Sequence, residues 1–250
     1  MNKVRIANIY IDNLSMDECI ARINDLIKGY RKSYIVTPNV DHIVKLQWDD
    51  EFLEAYENAE MVVADGMPII WASNLLGTPL KEKISGSDLF PELCKVSAEK
   101  GYTLFFLGAG EGVARQAAWN LEKKFKNVKI TGVYSPPFGF EKDEDENNKI
   151  QKMINQLAPD ILFVGVGAPK QEKWIYKNLD KLNVKLAIGI GASFDFVAGS
   201  IKRAPKFMRK MGLEWFWRFM NEPRRLFKRY FIDDSRFAFI LFKQMWGKKK

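Results

Sequence analysis

Along the first 200 positions, short β-branched and aromatic runs alternate with stretches whose apolar residues recur every three or four positions. That alternation is the signature of strands covered by helices, an α/β domain. Strands are expected at Val4–Ile11, Ser33–Val36, Met61–Ala64, Tyr102–Leu107, Val128–Val133, Ile161–Val166 and Lys185–Ile190. The first helix is announced by Ser15-Met-Asp-Glu18, a capping box, and continues through Met16, Cys19, Ile20, Ile23 and Ile27 at helical spacing. Tyr134-Ser-Pro-Pro-Phe138 reads as a loop, because two prolines remove donors and push preceding residues out of the helical region; a helix resumes near Asp143.

The pattern changes near Gly199–Pro205, which marks the expected boundary between a core, residues 1–200, and an appendage, residues 201–250. The appendage holds short helix-like blocks, Leu213–Met220 and Arg224–Ile232, split by Glu222-Pro223, then a last block from Ser235 to Trp246. Charge sharpens this division. The chain is +8 overall, but residues 201–250 contain 15 Lys/Arg against 4 Asp/Glu and carry +11, which leaves the core at −3. The same 50 residues hold 12 of the 33 aromatics, and aromatics interleaved with basic residues suit an anionic membrane surface.

With 250 residues, 47% of them hydrophobic, the chain can bury a sizeable core. Cys19 and Cys94 have no metal-ligand spacing and are expected as reduced thiols in a cytoplasmic protein. No run approaches the roughly 18 apolar residues of a membrane span, and no secretory leader opens the sequence.

The candidate chemistry sits where strands hand over to helices. Gly108-Ala-Gly110-Glu-Gly112 follows an apolar strand and can cradle a phosphate, although a ligand-free turn uses the same residues. Val113 stands where a dinucleotide fingerprint needs its third glycine, and Tyr134 and Ser135 stand where its ribose-binding acid belongs, so an NAD-linked oxidoreductase is a minor alternative. Gln171, at the next glycine turn, can donate to and accept from a sugar or base, or simply start a helix. Asp195, between Phe194 and Phe196, must find partners, either a helix end or a nucleotide's donors. Asp65, hemmed by Ala64 and Met67, is either a desolvated general base or the cap of a helix before Pro68. His42, the single histidine, reads as a hydrogen-bonding helix residue, and the Asp143-Glu-Asp145 run as helix-start acids rather than a metal site.

Taken in order, Thr37-Pro-Asn39, Asp65-Gly-Met-Pro68, Lys83-Ile-Ser-Gly86-Ser-Asp88, Gly108-Ala-Gly110, Gly167-Ala-Pro-Lys-Gln171-Glu172-Lys-Trp174 and Phe194-Asp195-Phe-Val-Ala-Gly199 closely resemble the WecG/TagA/CpsF glycosyltransferase family, over nearly the whole chain. Arg203-Ala-Pro205 and Glu222-Pro-Arg-Arg225 resemble its TagA branch, the N-acetylmannosaminyltransferases of wall teichoic acid synthesis. The resemblance implies a Rossmann-like sheet with helices on both faces and a helical tail that closes the site. It implies inverting transfer of N-acetylmannosamine from UDP to the 4-hydroxyl of N-acetylglucosamine on undecaprenyl diphosphate, with no metal and no other cofactor. A donor carrying the uronic acid is the alternative within the family.

The resemblance makes Asp65 the base, Thr37 and Asn39 sugar or acceptor contacts, and Gly108, Gly110, Gln171 and Asp195 the nucleotide site. Lys83 stands where arginine is usual, so the charge is kept without the bidentate fork. With no metal, the leaving diphosphate falls to Lys83, backbone N–H groups and tail arginines, Arg218 and Arg225. The expected location is the inner face of the cell membrane, peripherally; a homo-oligomer is compatible with all of this. A nucleic-acid-binding module would share the basic aromatic tail but not the glycine turns in an acidic core.

Overall fold

A computed structural model describes residues 2–247, apart from the side chains of Lys206, Lys210 and Arg225. An antiparallel hairpin, β1 (Lys3–Ile6) and β2 (Ile9–Asp12), precedes α1 (Met16–Lys28) and β3 (Ser33–Val36). Then follow α2 (Val40–Lys45), α3 (Asp50–Glu57), β4 (Met61–Val62), α4 (Met67–Leu75) and α5 (Gly86–Lys100). The second half of the core alternates regularly: β5 (Thr103–Gly108), α6 (Val113–Lys124), β6 (Lys129–Tyr134), α7 (Glu144–Leu157), β7 (Ile161–Gly165), α8 (Lys170–Asn178), β8 (Leu186–Gly189) and α9 (Ser193–Ala198). The tail comprises α10 (Lys206–Lys210), α11 (Glu214–Asn221), α12 (Pro223–Phe227), a π-helical turn at Lys228–Asp233, and α13 (Arg236–Gly247).

Six strands form one sheet in the order β4-β3-β8-β7-β5-β6, every adjacent pair parallel. Successive side chains of a strand point to opposite faces, so a sheet covered on both sides is apolar at every position. Tyr34, Val36, Phe105, Leu107, Leu162 and Val164 pack on one face with α2, α3, α4 and α8. Ile35, Leu104, Phe106, Ile161, Phe163 and Ile188 pack on the other with α1, α5, α6 and α9. Phe90, Phe106, Phe163 and Phe194 meet there edge to face, which holds α5 and α9 close against the central strands.

Most expected strands lie within one or two residues of their observed bounds, and the capping box of α1 forms as its sequence requires. Two expectations are corrected. Val4–Ile11 is two strands, because Ala7 takes a positive φ of 54° and turns the chain back on itself. Met61–Ala64 pairs as a strand only through Val62: Val63 and Asp65 still donate their N–H groups to the carbonyls of Val36 and Pro38, at 3.1 and 2.8 Å, but Pro38 has no N–H to return a bond.

The tail lies against the core at three places. Arg203 pairs with Asp88 and donates to the Ser87 carbonyl at 3.0 Å. Gly212 packs on α4. The last helix, α13, buries Phe237 and Leu241 beside α2, while Gln244 accepts from Ala7 N–H at 2.7 Å and donates to the Arg5 carbonyl at 3.0 Å. The far end of the tail is thus tied to the N-terminal hairpin.

Candidate active site

In a parallel sheet the loops after all strands emerge at one edge, and ligands bind there. The six-strand order sets the sequence of candidate residues along that edge: Asp65 after β4, Thr37 and Asn39 after β3, Asp195 after β8, Gln171 after β7, Gly108 and Gly110 after β5. Four strand spacings separate β4 from β5, about 19 Å at the usual 4.7–4.9 Å per step. The sequence motifs are scattered over 160 positions, and topology alone gathers them.

Asp65 is half-buried in the turn between β4 and α4. Gly66, at φ 106°, is the N-cap of α4 and no side chain caps that helix, so the carboxylate is not spent as a cap. Burial pushes the Asp65 carboxyl up to about 6; Glu214 and Asp88 push the same way, and Lys83 and Arg218 oppose them. A carboxyl poised there is deprotonated at neutral pH yet basic enough to share a proton, which suits a general base.

Around it, core and tail interlock through charge. Lys83 lies 2.6 Å from Asp88 and 4.0 Å from Glu214 of α11, and Arg203 bonds to Glu214 at 3.2 Å. Lys83 and Ser85 hold the Asp88 carboxyl down to about 2 against its burial, with Arg203 adding to the effect. Arg218 stacks 5.7 Å from the Phe196 ring centroid, and its Nε, shielded from solvent, has no hydrogen-bond partner among the described residues. Two expected site residues, Lys83 and Arg218, are therefore each near enough for their charge to act on Asp65. Arg225 is placed on α12, but its side chain lies outside the described residues.

Thr37 is buried, with its hydroxyl 3.5 Å from the Gly189 carbonyl. Asn39 caps α2 through Oδ1, which accepts from His42 N–H at 3.2 Å. His42 itself is buried beside Tyr56, its Nδ1 2.6 Å from the Tyr56 hydroxyl, and burial drives the imidazole down to about 3; it is a neutral core histidine, as its sequence context suggested. Asp143 caps α7, with acids in the first turn.

Gln171 works as a clasp. Its Oε1 accepts from Gly191 N–H at 3.1 Å and Gly167 N–H at 3.3 Å, tying together the turns after β8 and β7, and its Nε2 donates to Glu172 Oε1 at 2.7 Å. A Cβ on Gly189 would lie 2.8 Å from Gln171 Nε2 and displace this clasp. Glu172 is fully buried, and desolvation raises its carboxyl to about 7. The sequence offered its identity but no signal for that burial.

Gly108 is buried, and a Cβ on it would sit 2.5 Å from the Gly165 carbonyl oxygen, so its smallness serves the packing of neighbouring strand ends. Gly110 and Gly112 are exposed at the start of α6, beside a cavity of about 310 Å³ lined by Glu111, Arg115, Tyr134 and Ser135. Asp195 is half-buried in the first turn of α9.

A sequence profile of the WecG/TagA/CpsF glycosyl transferase family matches residues 4–250. The chain belongs to that family. Curated relatives from Staphylococcus aureus carry the name N-acetylglucosaminyldiphosphoundecaprenol N-acetyl-beta-D-mannosaminyltransferase. The one from strain MRSA252 is 31% identical over 226 residues, 90% of this chain and 87% of the relative. Those from strains MW2 and NCTC 8325 are each 30% identical over the same shares. Family membership makes the chain a glycosyltransferase.

Proposed function

We propose that this glycosyltransferase moves N-acetylmannosamine from UDP to the 4-hydroxyl of N-acetylglucosamine on undecaprenyl diphosphate, with inversion, as a step in building the wall teichoic acid linkage unit. The relatives' names supply the acceptor and the sugar. The observation that carries the mechanism is Asp65, a carboxyl raised to about 6 within the fields of Lys83 and Arg218.

Inverting transfer requires one base and a means of meeting charge on the leaving group, with no covalent nucleophile. Asp65 takes the proton of the acceptor hydroxyl as its oxygen attacks the anomeric carbon from the face opposite the diphosphate. The bond from that carbon to the phosphate oxygen breaks, and UDP leaves with the electron pair. Arg218 and Lys83 face the developing charge; because Lys83 already shares its own with Asp88, Arg218 is the stronger contributor. Thr37 and Asn39 hold the sugar, and the nucleotide runs along the edge toward Asp195, Gln171, Gly108 and Gly110, with Gly108 shaping the turn from within.

The tail completes this site and also attaches the enzyme to the inner face of the membrane. No helix among the described residues is long and apolar enough to cross a bilayer. Phe207, Phe216, Phe227, Phe239, Phe242 and Trp246 are instead exposed on the tail among its lysines and arginines. Each basic residue near an anionic surface contributes about 1 kcal/mol, and the aromatics bury in the headgroup region.

The test is UDP release with UDP-N-acetylmannosamine, its uronic acid and UDP-N-acetylglucosamine as donors and a short-chain lipid diphosphate bearing N-acetylglucosamine as acceptor. Release that needs the first donor and this acceptor is expected. Release with the uronic acid alone reassigns the donor, and no release with any of them ends the proposal.

A further inference from the structure

Asn39 is held from two sides. As N-cap of α2 its Oδ1 accepts from the His42 N–H at 3.2 Å, and the same oxygen accepts from Arg229 Nη2 of the tail at 3.3 Å. Both partners are donors only, so the orientation of the amide is fixed by chemistry: the oxygen faces them and the NH2 group faces away. An amide oxygen has two lone pairs, and here both are used. Among the described residues none accepts from Asn39 Nδ2, and the residue is half-buried at the sheet edge next to Thr37.

Arg229 is itself caged. It lies 3.6 Å from Asp41 Oδ2 and 3.9 Å from Asp234 Oδ2, and Asp41 is held at 2.8 Å by Lys45. The two carboxylates hold the guanidinium by charge, and its Nη2 makes the directed bond to Asn39, a reach that a single ammonium on a shorter head does not reproduce. The tail is docked independently of it, by Arg203 on Asp88 and by Gln244 with buried Phe237 and Leu241.

We propose that Arg229 is a positioning residue for Asn39: reaching in from the tail, it fills the second lone pair of the amide oxygen and commits Asn39 to donating its NH2 to an oxygen of the sugar substrate. The group opposite Asn39 must then be an acceptor, a hydroxyl oxygen or the carbonyl of an acetamido group. Without the tail, the His42 N–H alone holds the oxygen, and the amide is aimed less firmly. This rests on the functional reading above, and it gives the tail a role in substrate recognition separate from Arg218 and from the membrane.

Asn39→Asp, Arg229→Ala and Arg229→Lys test it by steady-state UDP release, with protease protection of the tail measured alongside. Aspartate still caps the helix and still accepts from Arg229 but has no donor; kcat/KM is expected to fall about 30-fold or more, as when a polar substrate group loses its partner. Arg229→Lys keeps a charge for Asp41 and Asp234 without the fork, and both Arg229 variants are expected to lose about 5- to 10-fold in kcat/KM with the tail still protected. Wild-type kcat/KM in Asn39→Asp overturns the fixed-donor assignment. Wild-type kcat/KM in both Arg229 variants, or losses that merely track lost tail protection, overturns the positioning role. A wild-type chain that releases no UDP from any donor counts against the functional reading instead.

Discussion

Gly212 of the tail presses against Met67, two residues beyond Asp65: a Cβ at Gly212 would lie 2.8 Å from Met67 Cγ and 2.9 Å from its Cβ. Its φ of 76° is also a conformation that side chains rarely adopt. Close approach and backbone geometry thus both demand glycine where the tail meets the turn that carries the candidate base.

Gly212→Ala is therefore expected to loosen the tail beside Asp65. Strain and overpacking together cost about 1–3 kcal/mol, and the relief is for the tail to lift. Protease sensitivity between residues 200 and 213 should rise and turnover should fall, while the unfolding of the core changes little. An alanine variant with wild-type turnover and protection would show that this contact does not hold the tail.

Asp65→Asn should lower turnover by about 10²-fold or more with UDP affinity nearly unchanged, as loss of a general base does. The base must be ionised, so wild-type kcat/KM should rise with pH through about 6 and then level. The sign for stability is opposite. A carboxyl whose folded value is raised favours the folded state only while protonated; as pH climbs from its ordinary value of 3.8 through 6, the ionised form costs stability. Asparagine avoids that cost, so the variant should unfold at a higher temperature than wild type at pH 7.5, and the gap should close toward pH 4. A variant both active and no more stable would remove Asp65 from this role.

The strands and the glycine turns were legible in the sequence because their signals are local: β-branched runs, Ser15 with Glu18, glycines at strand ends. The hairpin at Ala7 was not, since alanine gives no hint of a positive φ. At the site, the identities of Asp65, Thr37, Asn39 and Gln171 could be read, but their partners could not. Gln171 looked like a side chain free to meet a ligand; its bond to Gly191, 20 positions away, exists only because β7 and β8 are neighbours. Glu214 and Arg229 passed as part of a basic surface tail, for the same reason: the core lysine, carboxylate and amide they face lie more than 100 positions away.

Gln171→Ala should separate the two turns that its carbonyl joins. Three hydrogen bonds end, and buried Glu172 loses the partner that opposes its desolvation, which together cost about 2–4 kcal/mol. Because Glu172 is raised to about 7, the destabilisation should be larger at pH 8, where the carboxylate must stay ionised without a partner, than at pH 5.5. Thermal unfolding at the two pH values, with the KM for the UDP-sugar, measures both. A loss that is independent of pH would mean Gln171 does not support the charge on Glu172.

Arg218 separates catalysis from attachment. Its guanidinium rests on Phe196 in the core, and its Nε is shielded from solvent with no hydrogen-bond acceptor among the described residues, an arrangement that costs free energy unless a substrate anion fills it. A residue that only helped to bind lipid headgroups would face outward with the exposed aromatics of the tail. Arg218→Ala is expected to lower turnover by about 10²-fold on a water-soluble acceptor, where membrane binding contributes nothing, and to leave liposome binding nearly intact. Replacing exposed Phe239 and Phe242 with serine should do the reverse, reducing liposome binding while turnover on the soluble acceptor persists. If Arg218→Ala turns over soluble acceptor at the wild-type rate and loses only liposome binding, the tail is an anchor and the diphosphate charge is met by Lys83 and the backbone alone.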